Sequence, residues 1–161
     1  YYLSIGYSTD DMGKLMGAVF CGAVLAQGPA GWLSDRFDRA KLLITMMTVS
    51  LLISLCSLLF SPMLPFFYVG IGAFIFGAAI FSIYPLGISH SCDELYNKDL
   101  IGTLSVLLSV NSFGCLVSAS FSGFFMTYFP VHGFYLYSTS LLAFLLVYLS
   151  YKLQKPLAQP A

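Results

Sequence analysis

The stretch Gly31–Lys41, GWLSDRFDRAK, holds two of the chain's seven acidic and three of its seven basic side chains. Asp35, Arg36, Asp38, Arg39 and Lys41 form a short charged loop between two apolar segments. Arg36 and Arg39 stand where a helix would end, so their charge suits the negative pole of its dipole. They also match anionic lipid head groups. On that ground alone the loop is an anchor at a membrane surface.

A second cluster, His90-Ser91-Cys92-Asp93-Glu94, offers an imidazole, a thiol and two carboxylates. Hydrolytic or metal chemistry can be built from such groups. Their spacing is poor for it, because neighbours along a helix point in different directions and only His90 and Glu94 share a face. Three readings stand: a solvated helix end, a proton-coupling or gate ion-pair role for His90 or Asp93, and an intramembrane catalytic site. Gln27 and Asn111 are polar side chains inside apolar segments, where they are expensive in lipid and face a bundle interior. Each can contact a solute or tie two helices together. Tyr84 precedes Pro85, whose missing N–H frees a carbonyl one turn back and kinks a helix. Asn111, Gly114, Ser118 and Ser122 share a helical face suited to packing or to lining a cavity, and Gly13-x-x-x-Gly17 has the helix-packing spacing. Four cysteines, without a CxxC pair, indicate neither a disulfide framework nor a zinc site.

The elements that carry these residues follow from composition. The chain is 58% hydrophobic and 9% charged, with a mean hydropathy of +0.85. No Asp, Glu, Lys or Arg occurs from Leu42 to Cys92 or from Leu100 to Tyr151. About 20 uncharged residues span a bilayer as a helix, and the segments are too long and too uniform for barrel strands. The expected fold is all-α: a polytopic transmembrane helical bundle over residues 1–151, with a tail at 152–161. Its spans are expected near 15–33, 42–60, 66–89, 100–127 and 134–151, after a partial span at 1–7. Tyr1 in place of Met marks the chain as an expected fragment. Six of the seven Lys and Arg residues fall in loops on one side, which places loop 34–41, link 90–99 and the C-terminus in the cytoplasm. Asp99 fits an N-cap for the fourth span, and His132 sits in the outer turn. A net charge of zero argues against a nucleic-acid partner, which would need a basic patch. No GxxxxGK[ST] phosphate loop supports direct ATP drive.

Gly31-x-Leu33-Ser34-Asp35-Arg36-x-x-Arg39 resembles the loop signature of the major facilitator superfamily, roughly G-x-L-[AS]-D-R-x-G-R-[KR]-[KR]. Asp38 stands where that signature has Gly, and Ala40 replaces a trailing basic residue. Such degeneracy is commoner in the C-terminal copy of the signature. Tyr84-Pro85-Leu86-Gly87 through Asp93 is similar to the end of the tenth helix in bacterial members. The resemblance implies the C-terminal half of a twelve-helix transporter in a bacterial inner membrane, lacking its N-terminal six-helix partner. It implies Gly31, Asp35, Arg36 and Arg39 as elements of the cytoplasmic gate. It also implies a small-molecule solute moved by alternating access, proton-coupled; the residues themselves suggest no cofactor and no metal. A non-transporting scaffold or truncated product is the alternative, and an intramembrane enzyme using His90 the third reading.

Overall fold

The computed structural model describes residues 7–60, 63–93, 100–129 and 133–154. Five helices account for nearly all of them: α1 (Thr9–Arg36), α2 (Arg39–Phe60), α3 (Phe66–Asp93), α4 (Leu100–Tyr128) and α5 (Gly133–Gln154). Each is long and apolar enough to cross a membrane, since even 22 residues rise about 33 Å against a hydrocarbon core of about 30 Å. The expected partial span lies, Tyr7 apart, outside the described residues. So do most of the 90–99 link, Asp99, His132 and the end of the tail.

Local chemistry sets the helix ends. Ser8 caps α1 in a reciprocal box: the Asp11 N–H donates to Ser8 Oγ at 3.2 Å, and the Ser8 N–H donates to Asp11 Oδ2 at 3.1 Å. The helix therefore starts six residues before Leu15, in a polar turn where Lys14 pairs with Asp10 at 2.6 Å. At the other end Phe37 leaves the helix in extended conformation. Asp38 then opens α2, its Oδ1 accepting from the Ala40 N–H at 3.0 Å. The residue that departs from the family signature is thus an N-cap. Pro65, with its φ preset for a first turn, leads α3. Between α4 and α5 the Gly133 N–H donates to the Phe129 carbonyl at 2.7 Å. A Cβ there would strike the Phe125 carbonyl, so this turn requires glycine.

The packing is inverted relative to a water-soluble domain. Ser50, Ser54 and Ser82 are fully buried, whereas Phe20, Phe113, Leu116 and Val147 are more than half exposed. Lipid is as apolar as leucine, so helices here associate through close packing and hydrogen bonds rather than hydrophobic burial. The closest approach joins α1 to α3. A Cβ on Gly22 would strike the Phe74 carbonyl, and one on Gly77 would strike the Val19 carbonyl. Gly13 and Gly17, which carry the packing spacing, and Gly31 at the loop meet nothing within 4 Å; the tight contact lies elsewhere because it is made between helices, not along one. Next, α3 packs on α2, α2 on α5 and α5 on α4, while α4 touches α3 only sparsely. Leu42, Leu43, Met47 and Leu86 form the core near the charged loop, joined by Leu33, Ile83 and Leu146. The α2–α5 seam is tied by Ser54 Oγ, 2.9 Å from Ser138 Oγ and 2.8 Å from Thr139 Oγ1. Tyr137 and Ser118 bond at 2.8 Å between α5 and α4.

Candidate functional site

A cleft of about 680 Å³ opens between α1, α3 and α4 on the side of the charged loop. Gln27, Gly31 and Asp35 line it from α1, Tyr84 from α3 and Asn111 from α4. These five come from three segments far apart in sequence. The glycine crossing of α1 on α3 brings the first two faces together, and α4 completes the wall. Pro29 and Pro85 lie within α1 and α3, and each removes an N–H from its helix. The carbonyls of Leu25 and Phe81, four residues earlier, lose their usual donors. Irregular backbone of this kind is tolerated at membrane depth where it borders a cavity or packed protein.

Arg39 bridges the charged loop to the end of α3. Its guanidinium donates to the Ser89 carbonyl at 3.1 Å and stands 3.9 Å from Asp35. Asp35 is mostly exposed and Arg39 about a quarter exposed, so the backbone contact is the stronger of the two. Arg36 turns away from this set and stacks on the Trp32 ring at 4.1 Å. Such stacking adds a modest attraction at an exposed site. Of the gate residues implied by the resemblance, Asp35 and Arg39 therefore meet each other, Gly31 shares the cleft wall, and Arg36 stays outside.

His90 is half-buried in the last turn of α3 and does not line the cleft. Asp93 ends that helix, and its side chain lies outside the described residues. Among the described residues no group of three His, Cys, Asp or Glu side chains is placed to hold a metal. Cys21, Cys56 and Cys115 are free thiols on the outer surface. On α4, the expected shared face divides: Asn111 reaches the cleft, Ser118 bonds to α5, and Gly114 meets nothing within 4 Å.

Two functional elements escaped the sequence. Ser34, inside the charged-loop motif, is 7% exposed and lines the cleft. Ser89 lines it too, and its carbonyl receives Arg39. Ser34 lies on the α1 face of Gln27 and Gly31, at spacings of seven and three residues, and that periodicity was the available signal.

Five apolar helices, three of them bordering a cleft with the charged loop at its mouth, define a multi-pass membrane protein. The profile of the Major Facilitator Superfamily matches residues 1–160, and the chain belongs to that family. Among curated relatives, an uncharacterized MFS-type transporter, YcaD, of Escherichia fergusonii is 29% identical over 77% of this chain and 31% of its own length. YcaD proteins of Shigella flexneri and of Escherichia coli O139:H28 are 31% and 30% identical over the same shares. The chain thus spans about a third of the length of these relatives. No solved structure matches it.

Proposed function

We propose that the chain forms one half of a secondary transporter that carries a small solute by alternating access. The cleft is its share of the solute path. The observation that carries this reading is the convergence of Gln27, Tyr84 and Asn111 on one cavity, with Asp35 at its rim. Polar groups gathered in a lipid-embedded cleft are where transporters place their sites, near the bilayer midplane and between repeats. The second wall comes from a partner six-helix half. In this reading the charged loop faces the cytoplasm, in keeping with the distribution of Lys and Arg. Arg39, with Asp35 and the Ser89 carbonyl, fastens the start of α2 to the end of α3 beside the cleft mouth, and the fastening must rearrange as that mouth closes and reopens. Proton coupling is part of the proposal, with His90 and Asp93 as the titratable groups at the inner end of α3.

The test is solute counterflow in proteoliposomes containing the full-length protein. Arg39→Ala is expected to leave solute binding within about twofold while reducing exchange at least tenfold, because it alters the switch and not the site. Normal exchange by this variant would sink the gate assignment. A pH gradient that fails to drive accumulation would remove the proton coupling.

A further inference from the structure

Hydroxyls within these helices mostly satisfy themselves. Thr45, Thr48, Ser50, Ser82, Ser105, Ser109, Ser112 and Thr127 each donate to the carbonyl four residues back. Ser54 and Ser118 bond across helices. In the cleft this rule stops. The side chains of Gln27, Ser34, Tyr84, Ser89 and Asn111 all line it, and none has a hydrogen-bond partner among the described residues. Ser34 is the decisive case: it is buried to better than nine-tenths, and its hydroxyl makes no hydrogen bond to the Ala30 carbonyl that the pattern of the other helix hydroxyls would select. A buried polar group without a partner is costly; Ser34 is the one buried member of the set, while Ser89 is half-buried and Gln27, Tyr84 and Asn111 are exposed at the cleft wall.

The chemistry of the set defines what completes it. Two amides supply four N–H donors and two carbonyl acceptors, and three hydroxyls both donate and accept. The only lining side chain charged at neutral pH is Asp35, at the rim and beside Arg39. An ion in this cleft would give up water and meet, among the side chains that line it, no charge but that of Asp35 at the rim, 3.9 Å from Arg39. Phe81 and Tyr84 add ring surface between the polar groups, which suits the apolar face of a compact solute. We infer that the cleft binds an uncharged, polyhydroxylated solute, with Ser34 as a positioning contact that discriminates by hydrogen bonding. The inference rests on the cleft being the solute site proposed above.

The test uses the full-length protein in lipid nanodiscs, with ligand-dependent thermal stabilisation as the readout. Four probes of similar size are compared: glucose and mannitol, uncharged, against glucosamine (largely cationic below neutral pH) and gluconate (anionic). Saturable stabilisation by an uncharged probe is expected, with the charged probes at least tenfold weaker. Ser34→Ala and Asn111→Leu should each weaken the uncharged probe by about three- to tenfold. Ser54→Ala, which removes a buried hydroxyl outside the cleft, should leave its affinity unchanged. Asn111 is exposed on α4, so its replacement keeps the comparison valid even where Ser34→Ala disturbs folding. Preference for a charged probe, binding by none of the four, or affinity indifferent to both cleft variants would overturn the inference. Counterflow separates it from the transport reading. Glucose or mannitol that binds without being carried supports the ligand class and defeats transport, whereas carriage of only a charged probe defeats the ligand class and leaves transport standing.

Discussion

Replacing Gly77 by alanine adds one methyl group at the point where α3 meets the backbone of α1. The atoms in its way are the Val19 carbonyl and Cα, not a side-chain tip that can rotate aside. The two helices must therefore separate locally, and the reciprocal contact of Gly22 with the Phe74 carbonyl opens with them. Overpacking costs about 1–3 kcal/mol, and a backbone obstacle places this case at the upper end. Alanine recovers about 1 kcal/mol through its better helix propensity. The net loss is about 2 kcal/mol, or a fall in melting temperature of about 4–8 °C for a chain of this size. The assay is thermal unfolding of the purified chain, followed by circular dichroism in one detergent. Gly17→Ala is the control, since nothing lies within 4 Å of its added carbon, and it should hold or raise the melting temperature. Adding Gly22→Ala to Gly77→Ala should cost much less than Gly22→Ala alone, because both act on one crossing. Equal melting of Gly77→Ala and Gly17→Ala would refute the tight crossing.

Two further outcomes are expected from the same unfolding measurement. Asp38→Ala removes the cap of α2 and should cost about 1 kcal/mol, while Asp38→Gly, the residue the family signature carries, should cost only a few tenths. Ser54→Ala breaks two bonds of the α2–α5 seam, and a double-mutant cycle with Ser138→Ala should give a coupling of about 0.6 kcal/mol, the usual size for such bonds in membranes.

The two long uncharged blocks made the helices legible, because a bilayer leaves few other uses for fifty residues without charge. Helix ends were less legible. The polar turn Ser8–Asp11 looks like a loop by hydropathy, yet its capping box makes it the first turn of α1. Asp38 looked like a defect in a motif because the motif specifies glycine, whereas a side-chain oxygen ahead of a helix satisfies N–H groups there. Gln27, Tyr84 and Asn111 were conspicuous one at a time, for polarity or for a neighbouring proline. Their convergence depends on which helices touch, and that is decided by Gly22 and Gly77, two glycines with no spacing rule between them. Ser34 was hidden for a different reason: serine is cheap anywhere in a membrane helix that lets it bond to its own backbone, so only the missing bond makes it notable.

The way α4 is attached has a mechanical consequence. Its bond from Ser118 to Tyr137, the ring contact of Phe125 with Tyr137 at 5.6 Å and the Gly133 turn all lie in its second half. Toward its start, Ser105, Ser109 and Ser112 spend their hydroxyls on their own helix. A tilt of α4 about these contacts with α5 would have its pivot far from the charged loop. From Ser118 back to Leu104 is about 21 Å of helix, so a tilt of about 10° would move that arm by roughly 4 Å. Asn111 lies about halfway along that arm, so the same tilt would shift the α4 wall of the cleft by about 2 Å.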